Sequence, residues 1–344
     1  MQLNGARRAI GVAAALTLIG TAAGCGGKDH GSPLAARSLG PHAQHQPPTC
    51  PLTGKPVTRA ENRHRPAVAV KIDNIAQALP QAGLNRADLV AEELVEGGLT
   101  RLFAVFQCDS APTVGPIRSA RESDADLLAL FHGSVFAYSG ANPKDMPPIV
   151  AHGDAALVSE ASHPLAFTRS TSRYAPHNVF ASTQTLLKTG LGLRPHLHAP
   201  KPWFRYGPLS NPAKRAHSVS MTWPAASAGW TWSKTEWLRT QGGVADNLAN
   251  GSRVSASNVV ILNVPIASTG LRDVAGSPSP LVVTVGHNQA WVLRNGKVVK
   301  GSWRRPTLGS QLSLLDRRGH PIALAPGRTW IELLPVGRTP TIQR

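Results

Sequence analysis

Ala67-Val-Ala-Val-Lys-Ile72 is an unbroken apolar run but for one lysine, and it reads as a strand buried on both faces. Working outward from it, Leu84 to Glu96 mixes apolar and acidic residues and reads as a short helix running into a strand. Thr100-Arg-Leu-Phe-Ala-Val-Phe-Gln107 is the next strand, and Ser134-Val-Phe-Ala-Tyr-Ser139 another. Between them, Ala120 to Phe131 has Leu127, Leu128 and Phe131 on one side and polar residues behind, the pattern of a helix. Ser182 to Leu187 reads as a helix closed by Gly190. Interleaved helices and strands imply a mixed sheet over residues 50–190.

Residues 191–215 are rich in Pro and basic side chains and read as a linker. Beyond them the pattern is strand-like: His217 to Trp223, Gly229 to Arg239, Asn258 to Asn263, Pro280 to Gly286 and Thr329 to Leu334. Asn295-Gly296, between Ala290-Trp-Val-Leu-Arg294 and Lys297-Val-Val-Lys300, is the sequence of a type I′ hairpin turn. The expected class is therefore α+β: an N-terminal α/β domain with a mixed sheet, followed by a mostly β C-terminal domain over 216–338. The tryptophans of that second half read as packing, with a carbohydrate platform as the sharper alternative.

Residues 1–24 have the three parts of an export signal: Arg7-Arg8, an apolar run from Ile10 to Ala23, and small residues ending at Gly24. The run falls short of the ~20 apolar residues that span a bilayer. The small-small-Cys step into Cys25 resembles a lipobox, so Cys25 is the expected lipidation site and the membrane anchor. That places the protein at the outer face of the cytoplasmic membrane. Residues 25–49, rich in Gly, Pro, Ser, Ala and His without apolar period, read as a disordered tether. Cys50 and Cys108 then remain as a pair in an oxidising compartment. A disulfide between them closes a loop of about 58 residues, a constraint of ~4 kcal/mol in the chain-entropy account.

The chain has 36 Lys plus Arg against 19 Asp plus Glu, a net charge of +17. From residue 191 onward there are 19 basic and 5 acidic side chains, whereas nine acids lie between Asp73 and Asp126. Outside the cell such a surface meets anionic headgroups or wall polymers, or serves solubility. An exported chain without a recognisable nucleic-acid module is not expected to bind nucleic acid.

Three clusters look unlike plain core: Lys71-Ile-Asp73-Asn74, Glu92-Glu93-Leu-Val-Glu96-Gly-Gly-Leu-Thr-Arg101, and Val114-Gly-Pro-Ile-Arg118-Ser-Ala-Arg121 leading to Asp124 and Asp126. A fourth is Ser172-Arg173-Tyr-Ala-Pro-His177-Asn178. Guanidinium forks grip phosphate or carboxylate bidentately, and a helix start attracts anions. Arg101, Arg118, Arg121, Arg173 and His177 are thus the candidate anion ligands. Asp73, Glu93 and Asp124 are the candidate ligands for Mg²⁺ or another divalent cation beside them. The plainer alternative is that these acids and arginines pair with one another. The chain has no Gly-x-Ser-x-Gly elbow, no His-Glu-x-x-His helix and no Gly-x-x-x-x-Gly-Lys loop.

Taken together, Arg65-Pro-Ala-Val-Ala-Val-Lys-Ile-Asp-Asn74, Pro80-Gln-Ala-Gly-Leu84, Glu92 to Arg101, Val114 to Arg121, Tyr138-Ser-Gly-Ala141 and Ala175-Pro-His-Asn178 resemble the YerB-like family of bacterial lipoproteins. Gly296 to Trp303 and Pro326 to Glu332 resemble that family's second domain. The resemblance implies a lipoprotein of two adjoining domains and no particular reaction. A short echo of the LytR-CpsA-Psr wall-polymer transferases in Pro116-Ile-Arg-Ser-Ala-Arg121 agrees with the anion reading. The expected role is an envelope lipoprotein binding an anionic wall or lipid component, or a wall-synthesis protein partner. The alternatives are a metal-assisted phosphotransferase or hydrolase acting on a wall precursor, and a structural spacer.

Overall fold

The computed structural model describes residues 48–57, 59–152 and 154–344. The export signal, Cys25 and nearly all of the expected tether lie outside the described residues. Gln46–Arg344 makes one compact unit.

In the first half, β1 is Val68–Asp73, β2 Leu89–Leu94, β3 Thr100–Phe106, β4 Val135–Tyr138 and β5 Ala156–Ser159. β1 pairs antiparallel with β3 on one side and parallel with β4 on the other. It is covered on both faces, which is why its sequence is a continuous apolar run rather than an alternating one. The helices are α1 Asp124–Leu128, α2 Met146–His152 and α3 Thr183–Leu193. α1 is far shorter than the apolar pattern over 120–131 suggests, because Arg118 and Ala120 instead hydrogen-bond along β1 and the end of β4. α3 runs through Gly190 rather than stopping there. A Cβ at Gly190 would collide with the Val135 side chain, so the glycine allows the helix to lie close on β4. Cys50 and Cys108 are disulfide-bonded, with 6.0 Å between their Cα atoms.

The second half is mostly strand. Asn258–Val264, Gly286–Arg294, Lys297–Arg305, Ser313–Asp316 and Thr329–Pro335 belong to the same sheet as β1–β5. The junction is β2 with Thr329–Pro335, a parallel pair with Leu89 opposite Thr329 and Glu92 opposite Glu332. Among the described residues, eleven strands share this mixed sheet. The Asn295-Gly296 turn has positive φ at both residues, as a type I′ hairpin requires. The run from Gly229 to Arg239 resolves into two strands, Ser227–Trp232 and Trp237–Gln241, which lie in a second, six-stranded sheet.

Trp223, Trp230, Trp237, Trp291, Trp303 and Trp330 are buried, so these rings form core rather than a carbohydrate platform. Residues after α3 also pack inward. Trp203 stacks on Phe131 at 4.4 Å between centroids and donates its indole N–H to the Leu130 carbonyl at 3.0 Å. A hairpin of Ile266–Arg272 and Pro278–Val282 stands apart as its own two-stranded sheet. It reaches back over the first half, where the Val282 amide donates to Ser123 Oγ at 2.9 Å.

Candidate functional site

Directly paired strand residues project from the same face. Arg101 is opposite both Asp73 on β1 and Glu93 on β2, so these three share a face. Glu92 and Thr100 project to the other. Two adjacent glutamates of the sequence therefore serve two separate sites.

On the first face lies a buried triad. The Lys71 ammonium bonds Glu93 and, at 2.7 Å, Asp124 Oδ1, and all three side chains are fully buried. Burial pulls Lys71 down to about 8, against the Asp124 carboxylate, which holds it up. Glu93 and Asp124, two of the acids expected to hold Mg²⁺, thus converge on an internal cation. Asp73, the third, turns away to Arg118 Nε at 3.1 Å and to His177 Nδ1 at 2.7 Å. Among the described residues, no group of three or more His, Cys, Asp or Glu is arranged to hold a metal ion.

Beside the triad opens a cleft of about 760 Å³. Arg101, Arg118 and Arg121 all line it, with Arg272 coming from the tip of the overhanging hairpin. Their acidic neighbours in the lining are Asp73, Glu96 and Asp273. Arg121 donates to Glu96 Oε1 at 2.6 Å, and Ser279 of the hairpin donates to the same oxygen at 2.7 Å. Burial raises Glu96, but the Arg121 bond and charge together with the Ser279 hydroxyl outweigh it and hold the group below the usual carboxylate range.

Arg101 is different. It is 8% exposed and, among the described residues, its side chain forms no ion pair and makes one hydrogen bond, to the Ser119 carbonyl at 3.0 Å. Burial first, then the neighbouring Arg121 and Arg118, push its guanidinium down to about 9, against the nearby Glu96 and Asp73 charges, which hold it up. It therefore stays charged at neutral pH with most of its donors unspent.

The other expected anion ligands do not join the cleft lining. Arg173 donates to the Ala78 and Pro80 carbonyls, at 2.9 and 2.5 Å, and sits over the Phe180 ring. It fastens a loop. His177 stands behind Asp73. The expected helix N-terminus contributes nothing either: α1 is a single turn, and Asp124 Oδ2 already accepts the Arg121 amide at 2.7 Å.

Sequence reasoning missed Arg272 and Asp145. Arg272 lies on a strand whose alternation is weak. Asp145 is buried with neither oxygen hydrogen-bonded among the described residues, and burial raises it to about 6. Neither leaves a local signal, since each acquires its environment from residues distant in the chain.

The second face of β1–β3 builds a polar seam between the halves. Glu92 accepts from Asn74, from Thr100 and, at 2.5 Å, from Arg239 of the second half. Arg239 also bonds Asp246 and lies 4.8 Å from the Trp330 ring centre. Glu332, opposite Glu92, accepts from the Trp230 indole at 2.7 Å. Burial, then the Glu92 charge, push Glu332 well above the usual carboxylate range.

Residues 52–194 match the N-terminal domain, and 218–331 the C-terminal domain, of the family described as "Protein of unknown function (DUF3048)". The chain belongs to the YerB-like two-domain family. "Putative lipoprotein YerB" of Bacillus subtilis (strain 168) is 27% identical over 302 residues, covering 83% of this chain and 86% of that protein. The crystal structure of the B. subtilis YerB protein superposes with a TM-score of 0.73 at 25% identity, covering 86% of this chain and 99% of that one. In the seam Asn74 and Thr100 both hydrogen-bond Glu92, and Glu332 lies opposite Glu92 on the neighbouring strand.

Proposed function

We propose that this protein is a membrane-anchored lipoprotein that binds an anionic ligand, a phosphate or carboxylate group, in the arginine cleft. Lipidation at Cys25 is the anchor, in keeping with the relative named as a lipoprotein. No helix among the described residues is long and apolar enough to cross a membrane. The outer face of the cytoplasmic membrane follows from the export signal, and a wall or lipid component is the ligand source that compartment offers.

The observation that carries the reading is Arg101. A guanidinium that is nearly buried, without an ion pair among the described residues and flanked by two others is costly to maintain. An anion in the cleft offsets that cost with charge-assisted hydrogen bonds. Glu93 and Asp124, which a metal-assisted phosphotransferase or hydrolase would call on, are taken up by Lys71. That favours binding over turnover.

The test is thermal unfolding of residues 46–344 with inorganic phosphate, pyrophosphate and citrate, on wild type and Arg101→Gln. A ligand at a hundred times its Kd stabilises by about 2.7 kcal/mol, a Tm rise of roughly 5 °C. The rise should vanish in Arg101→Gln. Equal rises in both proteins would place anion binding elsewhere and sink the reading.

A further inference from the structure

A second depression, of about 1010 Å³, adjoins the arginine cleft, and Ile75 and Leu99 line both. It lies between the halves. Ile75 and Leu79, beside Gln77, form one wall, and Pro224, Ala225 and Val244, beside Thr222, Gln241 and Arg338, the other. The walls meet where the Ala225 amide donates to the Gly98 carbonyl at 2.9 Å. Gly98 has φ +74°, and a Cβ there would come within 2.6 Å of Pro224 Cβ, so the close approach depends on glycine. Val244 is 65% exposed in this groove, and Val274 is fully exposed at the hairpin tip that borders the cleft. Folding thus leaves apolar side chains in water along a path that ends at Arg101.

We propose that the ligand is an amphiphile: an anionic headgroup held by Arg101, Arg118 and Arg121, with a hydrocarbon tail lying in the groove past Leu99. This rests on the anion reading of the cleft and adds the tail. A headgroup alone would leave the groove wet and Val244 exposed. A plain polyanion would have no use for an apolar wall running off a cationic one. An amphiphile satisfies both, since burying apolar surface and pairing charge are then met by one molecule. The head can be phosphate or carboxylate, and the source a membrane lipid or a lipid-linked precursor.

Calorimetric titration of residues 46–344 with inorganic phosphate and with butyl, hexyl and octyl phosphate, below micelle-forming concentrations, tests this. Octyl glucoside serves as the uncharged tail, and octanoate as the carboxylate head. Affinity should climb between two- and fourfold per added methylene, the upper figure being full burial. Ala225→Gln/Val244→Gln should flatten that series and leave inorganic phosphate binding as in wild type. Arg101→Gln should weaken phosphate and every alkyl phosphate alike. Phosphate binding with no dependence on chain length overturns the tail site while the anion site stands. No binding of any phosphate or of octanoate removes the anion reading itself. Octyl phosphate binding that survives Arg101→Gln, or is matched by octyl glucoside, shows nonspecific adsorption and overturns the proposal.

Discussion

Replacing Arg239 by methionine removes the cation from the seam between the halves. The side chain is fully buried, it bonds Glu92 and Asp246, and it covers the Trp330 ring. Methionine fills much of the volume but leaves two buried carboxylates, with Glu332 beside them, and no positive charge. Breaking a buried pair in this way costs about 3–5 kcal/mol. Against a total stability of ~5–15 kcal/mol that is a large share, and the Tm should fall by on the order of 10 °C. Urea unfolding followed by tryptophan emission is the assay, because Trp230 and Trp330 meet edge to face at 5.2 Å within the same cluster. The loss should shrink at pH 4, where the orphaned carboxyls can take protons. A loss under ~1 kcal/mol at pH 7.5, or one of equal size at pH 4, would refute the claim that charge in the seam, rather than shape, is what Arg239 contributes.

Three further outcomes follow from the same geometry. Gly190→Ala forces a methyl into Val135 and should destabilise by ~1–3 kcal/mol by urea melt, the cost of overpacking; no change would mean α3 is free to lift. Cys50→Ser/Cys108→Ser should cost about 2–5 kcal/mol by the same assay, and reducing agent should lower the wild-type Tm without affecting the variant. Asp88 accepts the Gln107 and Cys108 amides, yet burial raises it to about 7. Its folded value lies above its ordinary one, so its contribution is intact below about pH 4 and is lost as pH climbs toward 7. Asp88→Asn, which keeps an acceptor oxygen, should flatten the fall in Tm across that window; an unchanged slope would assign the pH dependence elsewhere.

How much of this was legible in sequence depends on the range of the interaction. A central strand covered on both faces has to be apolar throughout, and Ala67 to Ile72 shows it. Asn295-Gly296 announces its turn because only the local backbone decides it. The crowding of Arg118 and Arg121 in one loop, a strand away from Arg101, pointed to the cleft. The partner of each acid was not readable. Glu92 and Glu93 are neighbours in the chain and face opposite sides of the sheet, and only the register with β3 says which joins Lys71 and which joins Arg239. Arg272 and Ser279 reach the cleft through a hairpin docked from the other half, and no local pattern records that. The parallel pairing of β2 with Thr329–Pro335 is likewise invisible, since strands about 240 residues apart leave no shared signature.

Three strand ends, those of β1, β2 and β3, carry the cleft on one face and the seam on the other, only a backbone apart. On the cleft side positive charge is in excess: Arg101, Arg118, Arg121 and Arg272 line it with Asp73, Glu96 and Asp273, and among the described residues Arg101 is in direct ion-pair contact with none of them. On the seam side it is short, with Glu92, Asp246 and Glu332 around a single Arg239, so that Glu332 is held toward its neutral form. The two imbalances have opposite sign and opposite remedy. A seam closed to solvent can settle its excess acid by keeping a proton. A cleft open to solvent cannot discharge a guanidinium in that way, because arginine does not release its proton at physiological pH. It is settled by water or, more strongly, by an anion taken up in the cleft. That asymmetry is why the unpaired charge on the open face is the stronger mark of a ligand than the larger acid cluster buried behind it.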